Sequence, residues 1–239
     1  MQIKAVLFDM FDTLIMIDKN YEFYNPAIAR MHKFLSGKGI NVSYEQFKEA
    51  YLKARDALYV KAEANLEEPH FKVRIHDALK LLGYNYAASS PQVEGATAEF
   101  CDEFMKHVFI DQHAKTVLNS LHGKYKLGII SNFAIPECIY KLLKINGLNE
   151  LFDLVIISGE VNKRKPSPDI FKSVLKMLNI SAEQAVFVGD TADADVAGAN
   201  AVGMKAIYLK RRLEEGLQDV YPTLIIESLA DLPSAIESM

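Results

Sequence analysis

Long apolar runs are what this 239-residue chain most plainly lacks. No uncharged hydrophobic stretch approaches the ~18 residues that a membrane span requires, so a membrane partner is not expected. Cysteine is scarce as well. Cys101 and Cys138 are too few for the disulfide framework that staples small secreted domains, and we read them as two buried thiols in a reducing compartment. Neither sign of charge is in excess: 27 Lys and Arg against 31 Asp and Glu leave a net charge of -4. That mild balance gives no reason to expect nucleic acid or an anionic membrane surface. The only short basic clusters, Lys163–Lys165 and Lys210–Arg212, are too brief to read as a nucleic-acid tail. The amino end, Met1-Gln-Ile-Lys-Ala-Val-Leu-Phe, runs straight into Asp9 with no cleavage site of a secretory signal. We see no internal repeat and no low-complexity segment. These absences lead us to expect a soluble cytoplasmic protein.

Hydrophobic residues are plentiful, at 50%, enough to bury a sizeable core. They gather in short runs followed by small or polar turn residues: Ala5–Phe8, Leu127–Ile130, Ala185–Val188 and Ala206–Leu209, with Leu154–Ile157 and Leu224–Ile226 similar. Near-continuous Val/Ile/Leu runs of this length suit parallel strands covered by helices on both faces. Between the later runs, Ser167-Pro168 reads as a helix N-cap with proline in the first turn, and Ser181-Ala-Glu-Gln184 as a capping box. The alternation from about residue 110 onward predicts a doubly wound α/β sheet.

Residues 17–107 break that rhythm. They hold no convincing strand but several amphipathic helical stretches. One apparent helix runs from Pro26 to Leu35. Ser43-Tyr-Glu-Gln46 is a capping box opening a helix toward Leu66, and Ser90-Pro91 starts another through Phe100 and Phe104. An insertion of about ninety residues after the first strand is too long for a loop and reads as a helical cap. The expected division is a core of residues 1–16 and 108–239, with 17–107 as the cap.

Four segments at strand ends carry candidate chemistry, where open α/β sheets place their ligands. In Phe8-Asp9-Met10-Phe11-Asp12-Thr13-Leu14 a strand delivers a carboxylate to the mouth of the sheet, and two acids there repel unless a cation sits between them. Ile129-Ile130-Ser131-Asn132-Phe133 ends a strand in a hydroxyl and an amide, both able to bind an oxyanion. Lys163-Arg164-Lys165-Pro166 sets a lysine just ahead of the Ser167 cap. Val188-Gly189-Asp190 ends a strand in an acid, with Asp195 five residues on. Singly, each is more often ordinary: a strand-end Asp is usually a turn residue or cap, Lys165 a solvated lysine, and Asp195 a surface helix residue. Arg164 and Asp193 keep that ordinary reading. Four such segments in one order around a helical insertion change the odds.

In Phe8–Leu14, in Leu151-Phe152-Asp153 through Ser158-Gly159-Glu160-Val161 to Lys165-Pro166, and in Gly189–Gly203, the chain resembles the haloacid dehalogenase-like hydrolases. The likeness is to the subfamily with a helical cap inserted after the first motif, and it covers essentially the whole chain. It implies a Rossmann-like core and Asp9 as a nucleophile that becomes a covalent aspartyl intermediate. Thr13, Ser131 and Asn132 would hold the non-reacting oxygens, and Lys165 would neutralise charge on nucleophile and substrate. Mg²⁺ would be bound by Asp9, the backbone carbonyl of Phe11 and Asp190, with Asp195 supporting the site directly or through water.

The match departs at one position. Phosphatases of the family carry a second aspartate, the general acid/base, two residues beyond the nucleophile, and here that residue is Phe11. Asp12 lies one step further, where its side chain should point elsewhere. The dehalogenase branch does place an aromatic at this position, because a halide leaves without a proton. It usually lacks the acid of the fourth motif, however, and uses an early cap arginine, whereas no arginine here precedes Arg30. The expectation is therefore a Mg²⁺-dependent phosphatase acting on a small phosphorylated metabolite, biased toward leaving groups of low pKa. Its alternatives are a 2-haloacid dehalogenase and a homologue that binds a phosphorylated ligand without turnover. Tyr21, Phe23, Tyr24, Phe47, Tyr51 and Tyr59 could line a cap pocket but more often form cap core, and the scattered histidines receive no role. Oligomeric state is open.

Overall fold

The computed structural model describes residues 2–18, 22–211 and 220–239; Tyr21 and Arg212 lie outside them. Six strands form one parallel sheet in the order β5-β4-β1-β6-β7-β8. They are β1 (Ala5–Phe8), β4 (Lys126–Ser131), β5 (Leu154–Ile157), β6 (Ala185–Gly189), β7 (Lys205–Leu209) and β8 (Leu224–Ile226). Each of the six apolar runs became a strand. β1 shows why: all four side chains are buried, and they alternate between two cores. Val6 and Phe8 face one side, and Ala5 and Leu7 the other. The first side is covered by α5 (Ala114–Leu121), α6 (Pro136–Ile145) and α10 (Leu232–Glu237). The second is covered by α8 (Pro168–Leu178) and α9 (Ala197–Ala201), with Phe171 of α8 edge-on to Phe187 of β6. This is a doubly wound, Rossmann-like α/β sheet. A short helix, α7 (Ser158–Val161), follows β5.

Four helices lie between β1 and α5: α1 (Tyr24–Ser36), α2 (Tyr44–Asn65), α3 (Phe71–Leu81) and α4 (Pro91–Phe104). The Ser43–Gln46 capping box opens α2, and Ser90 accepts from the Val93 backbone N–H ahead of Pro91 at α4. α1 packs along α4, and α2 along α3. Their buried faces follow helical spacing, with Ile28, Met31 and Leu35 on α1 and Ile75, Ala78 and Leu79 on α3. Two backbone ties hold this layer against the sheet mouth: Phe71 N–H donates to Ala134 O (2.8 Å), and Arg164 N–H to Leu66 O (2.9 Å).

Two features differ from the sequence reading. β2 (Ile15–Ile17) and β3 (Val108–Ile110) form a separate antiparallel pair at the entry and exit of the helical segment. Three residues give no usable periodicity, and Val108–Ile110 is half-exposed. The Ser181–Gln184 capping box is present, but it closes a single 3₁₀ turn rather than a longer helix. Cys101 and Cys138 are both buried and free, as expected.

Candidate active site

The chain leaves β1 and turns toward β4 on one side and β6 on the other, so the carboxyl ends of these three neighbours flank a crevice at the switch point. Asp9 follows β1 and is anchored there by its N–H to Val188 O (2.9 Å). Ser131 ends β4, and Asp190 follows β6. After Asp190 the chain enters a π-helical turn, Ala192–Val196, of the kind often found at functional sites. That wide turn brings Asp195 back under the strand, where it is 1% exposed and accepts from the Thr191 N–H (3.0 Å). The surface-helix reading of Asp195 fails for this reason. Gly189 makes the return possible, since a side chain there would collide with the Asp195 carboxylate.

Lys165 is the centre of the arrangement. It is 2% exposed, and its Nζ lies 2.5 Å from Asp9 Oδ1 and 2.7 Å from Asp195 Oδ1. Asn132 holds its backbone twice, accepting from Lys165 N–H (2.8 Å) and donating to Lys165 O (3.0 Å). The Asn132 amide is therefore committed to positioning Lys165. The hydroxyls of Thr13 and Ser131 are buried and have no hydrogen-bond partner among the described residues, yet neither residue forms part of the cavity wall. Asp12 adopts a left-handed backbone (φ 54°), and its Oδ1 accepts from the Ile17 N–H (3.1 Å), so its carboxylate braces the turn.

Asp9, Asp190 and Asp195 are all buried, and each offers an oxygen within 4.8 Å of the others'. Burial pushes the Asp9 carboxyl up to about 6 despite Lys165, and Asp195 pushes in the same direction. Burial opposes the Lys165 ammonium, but Asp195 and Asp9 together hold it above the ordinary lysine range. Among these four side chains, three carboxylates against one ammonium leave a negative excess in a desolvated place. Hard oxygen donors with that excess fit a small divalent cation.

The cavity above these groups measures about 430 Å³ and is also lined by Phe11, Asp12, Asn132, Arg164 and Asp193. Half-buried Arg164 and exposed Asp193 thus both border the site. The ring of Phe11 packs against Phe133 (4.7 Å between centroids) and Phe104 (5.3 Å). A second cavity, about 410 Å³, shares Glu63, Asn132 and Arg164 with the first. Phe23, Tyr24 and Tyr59 line it, whereas Phe47 and Tyr51 are buried in the helical layer. Arg211 is another residue that sequence reasoning missed. It pairs with Asp111 (2.5 Å) and donates to the carbonyls of Asp12 (3.2 Å) and Thr13 (3.4 Å), clamping the turn after Asp9. His70 serves the fold, capping α3 by accepting from Lys72 N–H (3.1 Å).

A family model described as haloacid dehalogenase-like hydrolase matches residues 3–203. The chain belongs to that family. It is a hydrolase. Glyceraldehyde 3-phosphate phosphatase of Methanocaldococcus jannaschii is 27% identical over 241 residues, covering 99% of this chain and 98% of that protein. The enzyme of the same name from Methanopyrus kandleri is 30% identical over 214 residues, with 87% and 84% covered. Among solved structures, 2-haloacid dehalogenase from Pseudomonas syringae pv. Tomato DC3000 superposes with a TM-score of 0.74 at 22% identity over 99% of both chains. That likeness bears on the fold alone. Among the described residues, no helix is long and apolar enough to cross a membrane.

Proposed function

We propose that this hydrolase is a Mg²⁺-dependent phosphatase of small phosphorylated metabolites, working through an aspartyl-phosphate at Asp9. The observation that carries this reading is the buried Asp9–Asp190–Asp195 cluster, with Lys165 held between Asp9 and Asp195. A metal-free site would keep three desolvated carboxylates together at considerable electrostatic cost. Asp9, Asp190 and Asp195, with the carbonyl of Phe11, would hold Mg²⁺, which supplies charge neutralisation for an incoming phosphate. Asp9 attacks phosphorus and the leaving oxygen departs; water then opens the acyl phosphate and regenerates the carboxylate. Lys165 offsets negative charge on Asp9 and on the transferring group, and Asn132 keeps it there. The Thr13 and Ser131 hydroxyls have no partner among the described residues and would donate to the non-reacting oxygens of a phosphate that reaches past the present cavity wall. In this reading residues 17–107 act as a cap over a core of residues 1–16 and 108–239.

Phe11 cannot protonate a leaving group, and Asp12 is occupied by its own turn. The reaction therefore favours leaving groups that depart as stable anions, such as aryl or acyl phosphates. One observation favours a dehalogenase instead, the aromatic Phe11 beside the nucleophile. Arg30, the earliest arginine, speaks against it: Glu99 (2.5 Å) and Glu103 (3.3 Å) hold it, and it lines neither cavity. The test measures phosphate release from an aryl phosphate panel with Mg²⁺, with EDTA, and in Asp9→Asn. Mg²⁺-dependent release lost in Asp9→Asn is the expected result. Halide release from 2-haloacids that ignores EDTA, with no phosphate release, would overturn the proposal.

A further inference from the structure

The second cavity holds a buried guanidinium that makes no ion pair among the described residues. Arg74 sits one turn after Phe71 on α3, is 7% exposed, and lines this cavity. Its Nη1 donates to Tyr51 Oη (3.3 Å), while its buried Nε has no hydrogen-bond partner. Among the described residues, no carboxylate comes within 4.0 Å of its guanidinium. Glu68, in the same wall, is near enough to feel the Arg74 charge, but its contacts go to Arg164 (3.8 Å) and Ser158 Oγ (3.4 Å). The rings of Phe71 (4.9 Å) and Tyr59 (5.2 Å) lie under the guanidinium and compensate part of its lost hydration. A buried cation without an anion is costly, and in native proteins such a group has a partner. Here the missing partner is external, because the guanidinium forms part of a cavity wall.

The remaining walls describe the rest of that partner. Phe23, Phe71, Phe100, Phe104 and Phe133 make the cavity largely aromatic, and its 410 Å³ suits a ring-sized moiety. Its shared wall with the Asp9 cavity, through Asn132 and Arg164, places it where the group attached to a phosphate on Asp9 would extend. We propose that this second cavity is the leaving-group pocket, and that it selects substrates whose apolar or aromatic body carries its own anion, a carboxylate or second phosphoryl group, to pair with Arg74. This rests on the phosphatase reading above and specifies its substrate class. No new bond chemistry is involved: the phosphoryl group goes to Asp9, and the leaving oxygen departs with the anion-bearing body.

The test uses the full chain with Mg²⁺ and three aryl phosphates of similar leaving-group acidity: 4-methylphenyl phosphate, 4-(carboxymethyl)phenyl phosphate and 4-(phosphonomethyl)phenyl phosphate. The wild type is expected to show a kcat/KM at least tenfold higher for one or both anion-bearing substrates, chiefly through KM. The arm that gains identifies the anion. In Arg74→Met that ratio should collapse toward one, and in Arg74→Lys, which keeps the charge, part of it should return. A wild-type ratio near one overturns the proposal, whatever the variants do. If none of the three is hydrolysed, the phosphatase reading falls. The pocket is then decided without turnover by calorimetric binding of 4-hydroxyphenylacetate against 4-methylphenol. Tighter binding of the acid in wild type, lost in Arg74→Met, supports the pocket, and equal binding overturns it.

Discussion

Replacing Lys165 with methionine isolates the electrostatics on which the site is built. Methionine keeps most of the buried stem and deletes the ammonium, so little cavity is created. The ammonium lies 2.5 Å from Asp9 and 2.7 Å from Asp195 at 2% exposure. Its loss takes the ammonium from both Asp9 and Asp195, whose oxygens lie within 4.8 Å of each other and of Asp190. Removing one partner of a buried ion pair costs about 3–5 kcal/mol. We apply that range once, because both contacts lose the same charge. A chain of this size shifts by about 2–4 °C per kcal/mol, so Tm in EDTA should fall by roughly 6–20 °C. Scanning calorimetry at neutral pH measures it directly. Asp195→Asn added to Lys165→Met should recover part of the loss, by about 0.5–3 kcal/mol, as repulsion is relieved. A fall of less than about 1 kcal/mol in EDTA, or a double variant no more stable than Lys165→Met, would refute the reasoning.

Three further outcomes follow from the same geometry. In EDTA the Asp9 carboxyl titrates at about 6 in the folded chain against 3.8 for the free group. Its contribution to stability is therefore fully present below pH ~4 and is lost as pH rises through ~6, on the order of 3 kcal/mol; Asp9→Asn should flatten that part of the urea-unfolding profile, and an unchanged slope would count against it. Gly189→Ala forces the Asp195 carboxylate out of place, and a displacement of about an ångström at a catalytic centre lowers kcat by roughly 10²-fold, read on an aryl phosphate. Phe11→Asp restores an acid at the cavity and should raise the ratio of alkyl to aryl phosphate turnover by ~10²-fold or more. A ratio that stays level would mean that the missing proton donor is not what limits the site.

The fold was largely legible because its strands are buried on both faces. Such strands need unbroken apolar runs, and each of the six runs stands in the parallel sheet. The helix starts were legible where side chains cap them locally, as Ser43, Ser90 and Ser167 do. β2 and β3 were not, since three-residue strands owe their existence to each other rather than to a local pattern. In the site, Asp9, Lys165, Asp190 and Asp195 came from three spaced segments, and their contacts came from the sheet order. What spacing could not reveal is which polar residue is spent on which neighbour. Asn132 looks like an oxyanion donor in sequence and holds the Lys165 backbone in space. Arg211, nearly two hundred residues from Asp12, braces the nucleophile turn through contacts that no local motif encodes.

Phe11 and Arg74 lead to the same kind of substrate by separate routes. At Phe11 the chain gives up a proton donor, and the ring that replaces it packs against Phe104 and Phe133, two walls of the second cavity. One residue thus removes acid catalysis and backs the surface on which a leaving group would rest. A phenol-like group, with a pKa of about 10, leaves without the protonation that an alkoxide demands. An aromatic wall is what such a group packs against. Arg74 adds the second restriction, since only a body that brings its own anion matches a buried guanidinium lacking a carboxylate. In sequence Arg74 is one more helix arginine between apolar neighbours. Its significance comes from the burial of α3 against the mouth of the sheet, fixed by the Phe71 tie to Ala134 one turn earlier. Loosening that tie should therefore weaken selection among leaving groups before it touches the chemistry at Asp9.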